Sequence, residues 1–582
     1  MHISLKRYLA LLVTYLKPQW PRALLMALCL LAGIGLELLD PQILRYFIDT
    51  ALAGGASASL VLAGALFIVV SLALFGLTVA TSYLSEYVAW TATNQLRSDL
   101  VAHCLALDMA FHKAHTSGEL IERIDADVDA LSNFFSEFVV HLLGNVLLAA
   151  GIIVAFYLID WRVGVVMSAV AVLAFVILLS INRRGLPYWV KLRQVNADYS
   201  SFLGEYLAGT EDIRGNGAAN FVMLRFYELL RRWWPLYRKA NYLDYALGAT
   251  GLFIFVCASA LAFTLGAYLW SIGAVTVGTV YVMWSYTDML STPISRLQNQ
   301  LQDFQKAQAA VQRIDDLLRT RPAIRDGVGT PLPADALSVT FADVSFSYEA
   351  DGDAVLRAIT FTLAARRILG VVGRTGSGKT TLARLLFRLY DPQSGAIRLG
   401  DTPIASATLR DLRQRVGMVT QDVQLFHASV RDNLTFFDGS LPDTRILAVL
   451  DDMGLTAWYR RLPQGLDTLL SSDGAGLSAG EAQLLAFARV FLKNPGLVIL
   501  DEASSRLDPA TEQLIERATA RLLAGRTGIV IAHRLATLQK VDEIMVIEDG
   551  AIREYGPRAA LASDGASRFA SLLQTGLEEV QA

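Results

Sequence analysis

Three long stretches of this sequence contain no Asp, Glu, Lys or Arg: Thr50 to Ser85, Val163 to Asn182, and Tyr245 to Thr287. The hydrocarbon core of a bilayer is roughly 30 Å thick, and a helix needs about 20 consecutive apolar residues to cross it. Each stretch meets that length, so the chain is expected to enter a membrane. Shorter apolar runs at Ala23–Leu36 and Phe138–Ile159 extend the pattern. The stretch from Tyr245 is too long for one crossing, and Ser271-Ile272-Gly273 supplies a turn in its middle. Six helices are therefore expected near 19–40, 59–84, 136–159, 162–182, 243–270 and 275–297. Over all 582 residues, 53% are hydrophobic and 18% charged, against about 25% charged in ordinary soluble domains. That balance excludes a purely cytosolic enzyme and a disordered chain.

Basic residues in the connections set the expected orientation. The segment 183–241 carries ten Lys or Arg, whereas the loops 50–58 and 271–275 carry none. Both termini are accordingly expected in the cytoplasm. The long polar connections 85–135 and 183–241 are expected as helical extensions into the cytosol. Met1 to Lys17 has no signal-peptide cleavage pattern and runs into the first apolar helix. A bacterial plasma membrane is the expected location. The net charge of −3 gives no pull toward nucleic acid, and Trp233-Trp234 beside Arg231-Arg232 reads as an interfacial belt or loop packing. Cys29, Cys104 and Cys257 are too sparse for a disulfide framework and read as packing residues. His112 and His115 have metal-ligand spacing at i, i+3 but lie in the expected cytoplasmic coupling region, which disfavours metal binding.

Composition changes near residue 338. Thr320–Leu337 holds three Pro and two Gly and reads as a linker. Beyond it, β-branched runs alternate with amphipathic stretches, as in a soluble α/β domain. The expected organisation is a helical domain over 1–319, a linker over 320–337 and an α/β domain over 338–582. The chemistry lies in the last of these. The apolar run Ile368–Val372 leads into Gly373-Arg374-Thr375-Gly376-Ser377-Gly378-Lys379-Thr380, followed by Thr381 and a helical stretch. This is GxxxxGKT between a strand and a helix, where backbone N–H groups and a helix N-terminus cradle phosphates. Lys379 would neutralise the β- and γ-phosphates, and the Thr380 hydroxyl would bind Mg2+. A second strand, Leu497–Leu500, ends in Asp501-Glu502. There Asp501 suits the magnesium shell and Glu502 the polarisation of an attacking water.

Further motifs fall in a fixed order around these two. Leu477-Ser478-Ala479-Gly480-Glu481 resembles the signature motif of ATP-binding cassette transporters. Gln421 is similar to that family's Q-loop glutamine and a further magnesium ligand, Asp508 in Ser505-Arg506-Leu507-Asp508 to its D-loop, and His533 to its switch histidine. Tyr348 in Phe346-Ser347-Tyr348 resembles the aromatic that stacks on adenine. In the membrane half, Pro41 with Ile48-Asp49, and Thr116-Ser117-Gly118-Glu119-Leu120 with Arg123 and Asp127, are similar to the exporter type. The resemblance implies a six-helix transmembrane domain followed by a P-loop ATP-binding domain, using ATP and Mg2+. It also implies a dimer, because the family's signature residues serve the ATP bound by the partner's phosphate loop. Short loop helices, here near 108–118 and 209–217, would transmit motion between the domains.

Ala479, Glu481, Arg506 and Ser472 depart from the family pattern, while Glu502 and His533 keep it. That combination is what the resemblance associates with one half of a heterodimer, which is favoured here over a homodimer. The expected activity is ATP-driven export of a hydrophobic or amphipathic solute. The alternatives are a non-transporting, ATP-gated regulator or channel-like protein, and an uptake system on the same fold. Glu37, Asp40, Arg45, Glu137, Asp244 and Asp288 lie near or inside apolar spans, and ionisable groups there are functional candidates by default. Asp288 is the first choice for contact with a cationic amphiphile.

Overall fold

A computed structural model of the chain describes residues 13–134, 136, 139–349, 352–420, 423–471, 476–501, 509–532 and 535–581. The N-terminal part is helical: α1 (Trp20–Leu52), α2 (Ser57–Ala106), α3 (Met109–Ala114), α4 (Ser117–Ile124), α5 (Ala126–Asn133), α6 (Val139–Ile159), α7 (Trp161–Ala208), α8 (Thr210–Gly215), α9 (Ala219–Ser271) and α10 (Val277–Arg319). Among the described residues, five helical stretches are long and apolar enough to cross a membrane: Val13–Leu52, α2, Leu142–Ile159, α7 and α9. The expected helix at 275–297 lies within α10, which runs on for 43 residues and is polar in its later turns. Helices α2, α7 and α9 contain 50, 48 and 53 residues. At 1.5 Å per residue each is more than twice the thickness of the hydrocarbon core. Each charge-free stretch thus occupies only part of a continuous helix.

Apolar burial cannot drive helices together in lipid, so close fit must do so. Ala258, Ala262 and Gly266 form a buried stripe of small residues along α9. A Cβ on Gly266 would come within 2.8 Å of Val280 on α10. Val282, Met283, Tyr286 and Leu290 of α10 pack into one cluster with Ile152, Phe156, Met167 and Leu269. At the start of α10, Asp49 accepts hydrogen bonds from Thr276 Oγ1 (2.7 Å) and Gly278 N (2.9 Å). Farther along, Arg313 donates to the buried Asp127 of α5 through Nε (2.8 Å) and Nη2.

The chain forms two compact units. One comprises Met1–Leu105 and Thr116–Thr320; the other comprises Arg321–Ala582 together with the short segment Ala106–His115. That segment, which contains α3, joins the second unit through Asp108, whose carboxylate accepts from the backbone N–H groups of Ala323 and Ile324. A linear scan, which sees a single composition change, has no means of making that assignment.

The second unit is built on two main sheets. In chain order its elements are β1 (Val339–Phe346), β2 (Leu356–Leu363), β3 (Ile368–Val372), α11 (Lys379–Leu386), β4 (Ser394–Leu399), β5 (Thr402–Pro403), α12 (Leu409–Arg415), β6 (Val416–Val419), β7 (Ala428–Ser429), α13 (Val430–Thr435), α14 (Asp443–Asp452), α15 (Thr456–Tyr459), β8 (Leu469–Leu470), α16 (Ala479–Lys493), β9 (Leu497–Asp501), α17 (Pro509–Leu523), β10 (Thr527–Ile531), β11 (Glu543–Glu548), β12 (Ala551–Pro557), α18 (Arg558–Ser563) and α19 (Arg568–Gln581). A six-stranded sheet in the order β12-β11-β3-β10-β9-β6 is parallel except for the edge strand β12. An antiparallel sheet in the order β2-β1-β4-β5 accompanies it. The central strands are buried on both faces, as their unbroken apolar runs require. Their C-terminal ends carry the phosphate loop after β3 and Asp501 at the end of β9.

Replacing Arg313 by Ala leaves the Asp127 carboxylate buried without its bidentate partner. We expect a loss of about 2 kcal/mol, discounted from a fully buried pair because half of the Arg313 side chain is exposed. Thermal unfolding in detergent, compared with the milder Arg313→Lys, measures it.

Candidate functional site

The phosphate loop is shaped by its own backbone. Gly378, at the N-cap of α11, has φ +104, a conformation that a side chain strains. A Cβ there would also lie 2.6 Å from Leu356 Cδ2. The turn thereby aims the free N–H groups of α11 into the loop. Lys379, only 5% exposed, donates to the loop's own carbonyls, Gly373 O at 2.6 Å and Arg374 O at 2.9 Å. The Ser377 hydroxyl is buried and has no hydrogen-bond partner among the described residues. A buried ammonium held by weak carbonyl acceptors and an orphaned hydroxyl beside it suit a phosphate group. Arg374, Thr375 and Gly376 form the exposed rim of the loop, and Thr380 is half-buried.

Tyr348 reaches the same helix. Its hydroxyl is 3.0 Å from Thr381 Oγ1 and accepts a 3.0 Å hydrogen bond from Arg384 Nη1. The ring meets Phe346 and Tyr390 edge-on at 5.0 and 5.2 Å. Burial, with Tyr348 beside it, pushes the Tyr390 phenol above its ordinary pKa, while Arg384 acts in the opposite sense. The Lys113 ammonium of α3 lies 4.5 Å from the Tyr348 ring centroid. Neither Arg384 nor Lys113 is marked by a motif in the sequence. Only the fold brings α3 to the aromatic cluster.

Asp501 is buried at the end of β9, opposite Ile531 of β10. The signature segment opens α16. Ser478 is its N-cap, accepting from Glu481 N at 3.2 Å, while Glu481 Oε2 accepts from Ser478 N at 2.9 Å. This reciprocal capping box requires a side-chain acceptor at position 481, and Arg461 Nη2, donating to the same carboxylate at 2.8 Å, favours an acidic one. Ser478 and Ala479 are exposed and Gly480 is buried, so the methyl group of Ala479 lies on the outer surface. Farther along α16, Arg489 donates to Gln424 O (2.8 Å) and Asn433 O (2.7 Å). Burial lowers its guanidinium pKa below the ordinary range. Arg489 thereby holds the segment that follows Gln421 against the signature helix. Gln421, Ser472, Glu502, Arg506, Asp508 and His533 lie outside the described residues.

Residues 23–294 match the ABC transporter transmembrane region family, and residues 356–505 match the ABC transporter family. Over 532 residues the chain is 30% identical to the uncharacterized ABC transporter ATP-binding protein YfiC of Bacillus subtilis (strain 168), covering 89% of this chain and 86% of that protein. The chain belongs to the ABC transporter family. It is also 29% identical over 566 residues to the ATP-dependent lipid A-core flippase of Idiomarina loihiensis, covering 96% of each. Its fold matches a solved structure of a bacterial Atm1-family ABC exporter with ATP bound. The TM-score is 0.78 at 27% identity, over 95% of this chain and 98% of that one. It is therefore an ATP-hydrolysing transporter of the exporter type, with a helical transmembrane domain fused to an α/β nucleotide-binding domain.

Several other residues of this ABC transporter singled out in the sequence have structural partners. His115 stacks on Phe111 at 4.2 Å and His112 meets the same ring edge-on. No group of three or more possible metal ligands occurs among the described residues. Asp288 is exposed on α10. Tyr286, two residues earlier, instead lines a cavity of about 780 Å3 between α1, α6 and α10. It donates to Leu38 O at 2.7 Å and accepts from Gln42 Nε2 at 2.9 Å. Glu137 lies outside the described residues.

Glu481→Ala should remove the carboxylate half of the capping box, while the backbone N–H at 481 still donates to Ser478 Oγ, and destabilise the nucleotide-binding domain by about 1 kcal/mol. Glu481→Gln keeps a side-chain acceptor and should cost less than half as much. Denaturant unfolding of the two variants ranks them, and an equal loss would show that the side-chain acceptor at 481 contributes nothing to the cap.

Proposed function

We propose that this ABC transporter is one half of a dimeric exporter that moves a lipid-like or amphipathic solute outward across a bacterial plasma membrane. The observation that carries this reading is the near-full-length likeness to proteins named as lipid A-core flippases, joined in one chain to an intact phosphate loop. Basic residues concentrated in 183–241 favour cytoplasmic termini.

In the proposed cycle, the backbone from Gly373 to Thr381 cradles the triphosphate of ATP. Lys379 exchanges its carbonyl partners for phosphate oxygens, which hold a cation more strongly. Tyr348 stacks on the adenine. Thr380, Gln421 and Asp501 hold Mg2+, which when bound neutralises charge on the β- and γ-phosphates. Glu502 polarises the attacking water, and His533 contacts the γ-phosphate. Ser478, Ala479, Gly480 and Glu481, with Asp508, serve ATP across the dimer interface. This role suits Ser478 and Ala479, whose exposed position leaves the N-terminus of α16 accessible. The altered residues Ala479 and Glu481, beside a complete Asp501-Glu502 pair, favour a second, different half-transporter as partner.

Glu502→Gln should lower ATP hydrolysis by about 100-fold or more while ATP is still bound. It should also abolish ATP-dependent uptake of a fluorescent phospholipid into inside-out vesicles. Transport that survived the substitution would remove Glu502 from its role. Hydrolysis without any solute movement would favour a non-transporting regulator. Co-expression with a neighbouring half-transporter gene should raise ATPase activity well above that of the lone chain, and full turnover by the lone chain would leave a homodimer.

A further inference from the structure

The membrane unit holds a second candidate site, remote in sequence from the nucleotide motifs. Between α7 and α9 lies a pocket of about 730 Å3 whose lining includes Arg184, Tyr188 and Lys191 from α7 and Arg238, Lys239 and Tyr242 from α9. Residues 184, 188 and 191 follow an i, i+4, i+7 spacing and share one face of their helix, as do 238 and 242 on theirs. The facing sides of two long helices thus carry four cations and two phenols. No Asp or Glu lines the pocket. None of the four cations has a carboxylate partner among the described residues. The Lys239 ammonium lies 5.5 Å from the Tyr188 ring centroid, a contact that softens one charge without neutralising it.

We infer that this pocket binds the phosphate of an anionic membrane lipid. The ends of the charge-free stretches set its depth. Arg184 is the second residue beyond the charge-free stretch that ends at Asn182, and Lys239 precedes the charge-free stretch that begins at Tyr245 by six residues. Six residues rise about 9 Å along a helix, and the headgroup layer on each side of a bilayer is roughly 5–8 Å thick. Arg184, two residues past Asn182, and Tyr242, three before Tyr245, therefore lie at headgroup level, with Lys191, Arg238 and Lys239 just beyond it; with the orientation proposed above, the membrane end of the pocket faces the inner leaflet.

The chemistry selects the ligand. Four like charges in one pocket repel one another, and a phosphate relieves that repulsion by accepting from guanidinium forks and ammonium groups together. A choline headgroup would add a fifth cation, so the pocket favours a lipid with net negative charge over a zwitterionic one. The site does not depend on which solute is exported or on ATP hydrolysis.

The full-length protein, extracted from vesicles of equal parts phosphatidylglycerol and phosphatidylcholine, tests this by native mass spectrometry of the lipid it retains. Wild type should retain phosphatidylglycerol in preference. Combined Arg184→Gln, Lys191→Gln and Arg238→Gln should reduce that preference by about tenfold or more, and the charge-conserving Arg184→Lys, Lys191→Arg and Arg238→Lys should keep it. Should the triple neutral variant fail to fold, the single exposed substitution Lys191→Gln should still lower the preference measurably. No preference in wild type, or an undiminished preference in the neutral variants, overturns the assignment. Millimolar glycerol phosphate separates the two sources of the anion: if it displaces the lipid and is itself retained, the pocket is a site for a soluble phosphate and the lipid assignment falls.

Discussion

Hydrocarbon offers no partner for a backbone N–H or C=O, so a chain that enters a bilayer must close its hydrogen bonds within each crossing segment. In this ABC transporter that requirement extends beyond the bilayer. Helices of 48 to 53 residues continue unbroken from charge-free stretches into polar ones. Each helix therefore spans two solvents as one continuous element. The boundary is marked by Arg183 and Arg184 along α7 and by Asp244, then Lys239 and Arg238, along α9, and the basic pocket sits there. Because lipid tails are as apolar as the side chains, the hydrophobic effect does not draw the helices together, and they rely on fit, as at the small-residue stripe of α9, and on a few specific polar contacts. Asp49 at the start of α10 and Asp127 on Arg313 are two such contacts.

The nucleotide-binding domain obeys the opposite rule. There burial of apolar side chains stabilises by about 1.5–3 kcal/mol for each fully buried residue, and the parallel sheet is packed on both faces. That rigid sheet presents Lys379 and Asp501 at the ends of neighbouring elements. Lys379 is held by loop carbonyls, so a phosphate exchanges one set of acceptors for a stronger one without an unpaired buried charge. At the signature helix, Ser478 and Glu481 cap each other, which orders the helix start while leaving its residues exposed. Order and accessibility coexist because the cap is local.

The candidate ATP site was legible because its chemistry is local in sequence. A loop that wraps phosphate needs glycine, lysine and threonine at fixed spacing, and that spacing survives in a linear reading. Glu481 was legible as a departure from pattern, but its reason was not, since a capping box and an ion pair with Arg461 emerge only when the helix start is built. The His112 and His115 pair could have been ligands on spacing alone, and stacking on Phe111 accounts for both. Asp288 stood out as a charge in an apolar run, yet the cavity beside it is lined by Tyr286, because a helix turns its neighbouring residues to different faces. Lys113 against Tyr348 left no trace in the sequence. The two side chains belong to elements far apart in the chain, and α3 belongs to the second unit.

By itself, the sequence determined that this chain enters a membrane, that an α/β domain with a phosphate loop follows, and which residues are candidates for phosphate contact. Those features depend on composition, periodicity and the chemistry of adjacent residues, all of which are written along the chain. The tertiary structure alone decided which helices meet, that segment 106–115 joins the nucleotide-binding domain, and that Arg184 and Lys191 face Arg238 and Lys239 across one pocket. Those outcomes depend on packing between elements separated by tens or hundreds of residues. No pattern within one helix encodes what the neighbouring helix will present.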